Sequence, residues 1–222
     1  YEGDETAVVA IDTVSGGGAT ENGTQSVSIT VTENESAPTV TLTSSASAID
    51  EDSSSTVTLT ATLSVATTVD VTVALATSGT ATEGTDYASI SDITISAGST
   101  TGTATLDPSD DSTYEGDETA VVAIDSVSDS SSFASENGTQ SVTVTITENE
   151  SAPTVTLTAS ANSIEEDAAG TITLTATLSV KTTADVTVAL ATSGTSTEGA
   201  DYAAVSDITI SAGSLTGTAT FD

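Results

Sequence analysis

The side chains that could do chemistry in this sequence are carboxylates, and they are clustered. Acidic residues concentrate at Asp50–Asp52, at Glu83 and Asp86, at Asp110–Glu118 and at Glu148–Glu150. Two carboxylates about 4 Å apart repel by roughly 1 kcal/mol in water and by ~4 kcal/mol at an effective dielectric of 20. A hard divalent cation relieves this repulsion. Ca²⁺ accepts about six to eight oxygen ligands from flexible loops, whereas Mg²⁺ requires a tighter octahedron. The clusters therefore predict Ca²⁺ as the bound cofactor.

The composition excludes several other kinds of site. The 222 residues include 33 acidic side chains against one basic one, Lys181, which gives a formal net charge of −32, and there is no His, Cys, Met or Trp. Without His or Cys there is no imidazole base, thiolate nucleophile, soft-metal site or disulfide. Without a basic surface, nucleic acid and anionic membranes are poor partners. No apolar run approaches the ~18 to 20 residues of a membrane span, so we expect no direct membrane insertion.

Paired carboxylates also occur in glycoside hydrolases, so an enzyme has to be considered. However, no Arg, no aromatic platform and no cleft-forming insertion accompanies the clusters, and we expect no catalytic activity. The scattered acids Asp70, Asp92, Asp125 and Glu136 are interpreted as solvated surface charge.

The elements that must position the clusters are β-strands. High net charge with few aromatic residues is typical of disorder, but Val, Ile, Leu and Ala alternate with Thr and Ser, as in Val57–Leu63. Such alternation with β-branched residues predicts half-buried antiparallel strands. We predict seven strands between residues 37 and 150, at 39–45, 56–65, 69–77, 90–96, 101–107, 118–127 and 139–148. This spacing predicts an all-β fold of tandem antiparallel immunoglobulin-like β-sandwiches.

Asn22-Gly23 and Asn137-Gly138 each precede a predicted strand and predict tight turns. Both are followed by Thr and also match the acceptor pattern for N-glycosylation. The turn explains the Asn-Gly pair by itself, so we favour it.

The chain contains an internal repeat. Tyr1–Asp12 recurs as Tyr114–Asp125, and Glu33–Pro38 recurs as Glu148–Pro153, with offsets of 113 and 115 residues. The repeat length is normal for a β-sandwich domain. We therefore predict the C-terminal third of one repeat at 1–36, a complete repeat at 37–150 and the N-terminal two-thirds of another at 151–222.

Two arrangements explain these partial copies. The sequence is either a window from a long tandem array or a subunit whose first strands complete a sandwich begun by a neighbouring copy, as in a head-to-tail filament. We favour the array, because tandem arrays are the common source of such periodicity.

Three motifs resemble the Calx-β family, the calcium-binding sandwich repeat of sodium–calcium exchangers, an integrin β subunit and many large bacterial surface proteins. Ser78–Tyr87 resembles the family's Gly-Thr-Ala…Gly-x-Asp-Tyr segment. Asp110–Thr119 resembles its Asp-Asp…Glu-x-x-Glu segment. Thr147–Glu150 resembles the acidic segment that closes each repeat. The motifs occur in the family's order and cover essentially the whole repeat.

The resemblance implies a set of Ca²⁺ ligands. In the complete repeat these are Glu51, Asp111, Glu115, Glu118, Glu148 and Glu150, with Asp110 and Asp117 as neighbours. In the partial copies the matching residues are Glu2, Glu5, Glu33, Glu35 and Glu166. The sequence departs from the family pattern at Ser78 and Ser193, where the family has an acid, and in its Glu-Asn-Glu closing segment. These departures imply fewer or more weakly bound ions.

The expected function is a calcium-binding structural or adhesive module of an extracellular, cell-surface protein of bacterial type. Ca²⁺ at loop rims and repeat junctions would stiffen the array. The expected partners are neighbouring repeats of the same array or fibre, and a cell-surface or matrix ligand is a further candidate. The alternatives are the filament subunit and a Ca²⁺-sensing regulatory domain.

Overall fold

The structure is a computed structural model that describes residues 1–131, 133–166 and 170–222. None of these residues lies in a helix, so the described ranges contain no helix that could cross a membrane. The described residues form the strands β1 Glu5–Ala10, β2 Ser26–Val31, β3 Thr39–Ser44, β4 Ala48–Asp50, β5 Val57–Leu63, β6 Val71–Gly79, β7 Ile93–Ile95, β8 Thr101–Leu106, β9 Thr113–Tyr114, β10 Glu118–Asp129, β11 Ser135–Glu136, β12 Ser141–Thr147, β13 Val155–Ala159, β14 Ile172–Leu178, β15 Lys181–Thr182, β16 Val186–Val188, β17 Ile208–Ile210 and β18 Thr216–Phe221.

The all-β prediction is confirmed, and each of the seven predicted strands has a counterpart. The strand predicted at 90–96 is shorter, because the Asp92 carboxylate accepts the Leu75 N–H at 3.1 Å where a backbone carbonyl would continue the ladder. The short strands β4, β9 and β11 were not predicted. They contain two or three residues each and pair in parallel, so they show no alternation in the sequence.

The chain divides into two compact units that interleave along the sequence. The first contains Tyr1–Ser47, Ser55–Asp107 and Thr119–Val144, and the second contains Ala48–Ser54, Pro108–Glu118 and Thr145–Asp222. The repeat boundaries proposed above stay a prediction.

The first unit contains two sheets around one apolar core. Strands β11, β3, β5 and β8 form one sheet, and β12, β10, β6 and β7 run side by side in the other. Buried and half-buried residues alternate along β5, with Val57, Leu59, Ala61 and Leu63 inside. Apolar residues from both sheets meet there, including Val73 from β6. The first unit is therefore a β-sandwich with Thr on its outer faces.

The second unit contains the strands that bring the acidic clusters together. Strand β4 pairs in parallel with the last three residues of β12, and β9 pairs in parallel with β15. Its remaining strands form the ladders β13-β14-β18 and β16-β17. They share a small core of Ala176, Leu178, Ile208, Ile210 and Ala219.

Candidate metal centre

The pairing of β4 with the end of β12 positions the first group of carboxylates. Ala48 lies opposite Thr145 and Asp50 lies opposite Thr147. The Glu51 N–H extends this pairing by donating to the Thr147 carbonyl at 3.0 Å. The Thr147 hydroxyl donates to the Asp50 carboxylate at 2.6 Å. Glu51 and the segment after Thr147 therefore leave the sheet at the same place.

Three carboxylates converge at this point. Glu51, Glu148 and Glu150 each present an oxygen, and the three oxygens lie within 4.8 Å of one another. The Glu51 side chain is buried, with 7 % of its surface exposed. Oε2 of Glu150 is buried and has no hydrogen-bond partner. A buried unpaired carboxylate oxygen is costly unless a cation or a donor reaches it, so this oxygen-only donor set fits a hard divalent ion.

Backbone N–H groups hold the Glu148 carboxylate. Its Oε2 accepts hydrogen bonds from the N–H groups of Glu115 at 2.6 Å and Gly116 at 2.8 Å. Its Oε1 accepts from the Glu150 N–H at 2.9 Å. The Glu148 N–H in turn donates to Oδ1 of Asp117 at 3.1 Å. We call this arrangement the carboxylate cradle. It fixes Glu148 before any ion binds.

The acidic residues of the loop before β9 form hydrogen bonds next to the three converging carboxylates. Asp110 Oδ1 accepts from the Asn149 side-chain amide at 2.8 Å, and Asp111 Oδ1 accepts from the Thr113 N–H at 2.6 Å. The Asp111 N–H also donates to the Glu51 carboxylate. The structure therefore places Asp110 and Asp111 beside the three converging acids. Sequence reasoning missed Asn149, because a single amide between two glutamates gives no separate signal.

The three carboxyl groups differ in pKa because their surroundings differ. Burial raises the pKa of Glu51 from 4.5 to about 7, and the charges of Glu148 and Glu150 add to the shift. Burial also raises the pKa of Glu148, but the hydrogen bonds from the N–H groups of Glu150, Glu115 and Gly116 outweigh it and lower the pKa to about 2. The pKa of Glu150 is raised by the hydrogen bond that it shares with the Glu148 side chain and then by burial. Without a cation, the cluster therefore retains a proton near neutral pH.

The geometry and the motifs agree with a comparison against known families. The family model described as the Calx-beta domain matches residues 33–150 and 148–211. The chain belongs to the Calx-beta domain family. The comparison with curated proteins gave no match.

Three of the solved structures to which this Calx-beta chain is similar are Calx domains. An apo-form Calx CBD1 domain is 16% identical over 50% of this chain and 99% of that one, with a TM-score of 0.41. CBD12 from CALX1.2 is 19% identical, over 78% and 71% of the two chains, with a TM-score of 0.39. The calcium binding domain CBD12 of CALX1.1 is 16% identical, over 81% and 74%, with a TM-score of 0.40.

The carboxylate cradle of the Calx-beta chain occurs a second time, within the first unit. Oε2 of Glu33 accepts from the N–H groups of Glu2 at 2.8 Å and Gly3 at 3.2 Å, and Oε1 accepts from the Glu35 N–H at 3.2 Å. The Glu33 N–H donates to Asp4 Oδ1 at 2.8 Å. Each residue corresponds through the sequence repeat to a member of the Glu148 cradle. The hydrogen bond from the Glu2 N–H is the main cause that holds the pKa of Glu33 far below its usual range.

The ligands predicted in the partial copies do not converge as the three carboxylates of the complete repeat do. Glu2, Glu5, Glu33 and Glu35 line one shallow depression, but among the described residues they do not form a group of three converging carboxylates. Glu166 is exposed. Of the predicted residues in the complete repeat, Glu115 contributes its N–H to the cradle, and Glu118 begins β10. Their assignment as ligands stays a prediction.

The acidic segment at Glu83 and Asp86 builds a turn. The Glu83 carboxylate accepts from the Thr77 hydroxyl at 2.6 Å and from the Ile90 N–H at 3.1 Å, and the Thr77 bond is the main reason that its pKa is lowered. Asp86 accepts from the Thr82 N–H. The turn delivers Tyr87 into the core with 1 % of its surface exposed. The Gly-Thr…Asp-Tyr motif therefore has a structural role in the first unit.

Proposed function

We propose that this Calx-beta chain binds Ca²⁺ through Glu51, Glu148 and Glu150. The buried Oε2 of Glu150, which has no hydrogen-bond partner, carries the proposal, because Glu150 belongs to a group of three carboxylates whose oxygens converge. A bound Ca²⁺ would offset two of the three negative charges and replace the proton that the cluster otherwise keeps. The printed name of one solved relative, a calcium binding domain, supports the choice of ion.

The bound ion would stiffen the junctions of a tandem array. The loop residues whose N–H groups hold Glu148 directly follow β9, which pairs with β15. The same arrangement occurs in the first unit, where the amino group of Tyr1 donates to the Ala66 carbonyl at 2.6 Å beside the Glu33 cradle. Tyr1 and Ala66 correspond through the repeat to Tyr114 and Lys181. Because Ca²⁺ would hold the Glu148 cradle in place, it would also hold β9, the strand that pairs with β15 of the next repeat.

An extracellular, cell-surface location completes the proposal. The closing segment lacks the Asp-rich pattern and Ser78 stands where the family has an acid, which favours fewer or more weakly bound ions. Extracellular modules bind Ca²⁺ at ~10⁻⁴ to 10⁻³ M, whereas sensors bind at ~10⁻⁷ to 10⁻⁵ M. Millimolar Ca²⁺ outside the cell would occupy such a site in roughly half to nine-tenths of the molecules. In this location the module acts as a spacer of a structural or adhesive protein, with neighbouring repeats as its first partners.

Calorimetric titration of Ca²⁺ tests the site. The wild-type chain should bind with the weak affinity of extracellular modules, and Glu51→Gln should abolish that binding. Asp52→Asn is the matched control, because Asp52 is the exposed neighbour of Glu51 and lies outside the converging group. Unchanged binding in Glu51→Gln would refute the site. Submicromolar binding would instead favour the sensor.

Small-angle scattering with and without EDTA tests the stiffening. Ca²⁺ should narrow the distribution of the chain's dimensions and raise its melting temperature. If neither the dimensions nor the melting temperature responds to EDTA, Ca²⁺ does not stiffen the junctions between repeats.

A further inference from the structure

An aromatic contact joins the segment before β1 to the segment between β10 and β11, which we call the Phe133 loop. The rings of Tyr1 and Phe133 meet edge to face, with their centroids 5.0 Å apart and their planes at 76°. The Phe133 ring also lies over the backbone of Gly3, so close that a Cβ on Gly3 would lie 2.7 Å from its Cζ atom. Edge-to-face rings at this separation attract each other beyond the apolar area that they bury. The contact therefore holds together two segments of the first unit that are far apart in the sequence.

Hydrogen bonds on both sides of Phe133 fix its position. Before it, Oδ2 of Asp129 accepts from the N–H groups of Phe133 at 3.1 Å and Ala134 at 2.8 Å. After it, the Ser135 N–H donates to the Pro38 carbonyl at 3.1 Å, next to the predicted boundary between the first two copies of the repeat. The backbone that carries Phe133 is therefore held at this boundary.

The surface that Phe133 covers is the backbone of the Glu33 cradle. The N–H groups of Glu2 and Gly3 both donate to the Glu33 carboxylate. Gly3 has a positive φ of 78°, a conformation that side chains other than glycine adopt at a cost. A side chain at this position would also displace the Phe133 ring. Glycine at residue 3 therefore serves the cradle and leaves room for the ring.

The aromatic residue distinguishes the complete repeat from the first copy. The segment Asp129–Phe133 takes the place of Gly16–Gly18, which is two residues shorter and contains no aromatic side chain. The strands on either side keep their sequence in both copies, as in Glu5–Asp12 and Glu118–Asp125. A loop that changes between conserved strands is free to carry a role other than maintaining the fold. The contact with Tyr1 and Gly3 is such a role.

We propose that the Phe133 loop docks on the cradle of the preceding repeat and fixes the orientation of the two repeats without calcium. The proposal rests on the predicted boundary between residues 1–36 and 37–150, and it does not rest on Ca²⁺ binding. The contact consists of two rings and a glycine backbone, none of them charged, so removal of Ca²⁺ should leave it intact. Repeats with a large negative charge repel each other, and an uncharged contact opposes this repulsion where no cation is bound. A junction formed by a loop such as Gly16–Gly18 lacks the contact and should be more flexible.

Pulsed electron paramagnetic resonance between two spin labels tests the proposal on the 222-residue chain. The chain has no cysteine, so Ser28→Cys and Thr103→Cys place one label on an exposed residue of each repeat. Measurement in EDTA makes the result independent of Ca²⁺. We expect a narrow distance distribution in the labelled chain and a broad one after Phe133→Ala. Ser130→Ala is the matched control and should leave the distribution narrow, because Ser130 is an exposed residue of the same loop.

Three results would overturn the proposal. A broad distribution in the labelled chain would show that the contact does not hold the two repeats. A narrow distribution in Phe133→Ala would show that another contact holds them, and equal broadening in Ser130→Ala would show that the loop acts without its ring. Circular dichroism checks that the variants keep the fold. Failure of the calcium site would appear separately, as unchanged Ca²⁺ binding in Glu51→Gln.

Two glycine variants test the contact while the ring is present. Gly3→Ala places a Cβ against Phe133, whereas a Cβ on the corresponding Gly116 would meet nothing within 4 Å. The two positions have the same backbone strain, with φ of 78° and 79°. Gly3→Ala should therefore broaden the distribution in EDTA, and Gly116→Ala should not.

A double variant separates loss of the contact from strain at residue 3. Gly3→Ala should broaden the distribution of the labelled chain but add nothing in the Phe133→Ala background, where the ring is already absent. Equal broadening by Gly3→Ala in both backgrounds would show that Phe133 does not rest on Gly3, and the proposed docking would then be wrong.

Discussion

The N–H of Gly116 donates to Oε2 of Glu148 at 2.8 Å, and the N–H of Gly3 makes the same bond to Glu33 at 3.2 Å. The two bonds lie in different units and in different copies of the repeat. A carboxylate held by backbone N–H groups stays ionised and fixed in position. Glu148 is therefore a preorganised anion. Its negative charge raises the pKa values of the neighbouring Glu51 and Glu150.

This division of roles predicts opposite effects for substitutions at Glu148 and Glu150. Glu148→Ala leaves three backbone donors without their acceptor and should lower the free energy of unfolding by about 1–3 kcal/mol in EDTA. Glu150→Gln removes one of the crowded charges and should leave stability unchanged or raise it. Both variants should lose the stabilisation by Ca²⁺. Chemical denaturation with and without Ca²⁺ measures this, and equal losses in EDTA would contradict the division of roles.

The pKa of Glu51 predicts how stability depends on pH without Ca²⁺. The folded value is about 7 and the ordinary value is 4.5. The folded chain therefore binds the Glu51 proton more tightly than the unfolded chain. The stability from this proton is complete below pH 4.5 and is lost as the pH rises through 7, by roughly 1 to 3 kcal/mol. The raised pKa of Glu150 acts in the same direction.

Thermal melts between pH 4.5 and 7.5 in EDTA check this prediction. The melting temperature should fall toward the upper end of the range, and Glu51→Gln should flatten the profile. With saturating Ca²⁺ the slope should reverse, because protons and the ion compete for the same carboxylates. Glu148, whose pKa is lowered to about 2 in the folded chain, opposes this slope only toward pH 4.5, where the carboxyl of the unfolded chain titrates. A melting temperature that rises with pH in EDTA would contradict the assignment.

The parts of the fold that follow from local alternation could be predicted from the sequence. Strand β5 alternates over seven residues, and its buried face is visible directly in the residue types. The clustering of Glu148 with Glu51 could be predicted only by resemblance, because it depends on the three-residue parallel pairing of β4 with β12. The cradle could not be predicted at all. It uses backbone N–H donors, and the residue types at Glu115 and Gly116 do not indicate that role.

The hydroxyl group of Thr147 should contribute more to stability and to Ca²⁺ binding than the size of its side chain does. It donates its single proton mainly to the Asp50 carboxylate at 2.6 Å, and its oxygen lies 3.2 Å from the Ile49 carbonyl oxygen, next to the Glu51 pairing. Thr147→Val keeps the β-branched shape and should cost about 1 kcal/mol of stability. It should also weaken Ca²⁺ binding through misplacement of Glu51.

Thr145→Val on the same face of β12 is the control for this effect. Denaturation and calorimetry measure both variants. If Thr145→Val weakens Ca²⁺ binding as much as Thr147→Val, the hydroxyl of Thr147 does not position the site.

Gly79 and Gly194 occupy the same place in successive repeats but should respond differently to alanine. Both have a positive φ, 117° and 125°. A Cβ on Gly79 would lie 2.0 Å from the Thr119 carbonyl oxygen, whereas a Cβ on Gly194 would meet nothing within 4 Å. Backbone strain costs each variant about 1–3 kcal/mol, and only Gly79→Ala adds a backbone clash. Gly79→Ala should therefore reduce stability by about 2 kcal/mol more than Gly194→Ala in the isolated chain.

Chemical denaturation of the two variants and of the wild-type chain measures this difference. Equal losses of stability in Gly79→Ala and Gly194→Ala would show that the Thr119 carbonyl does not confine residue 79.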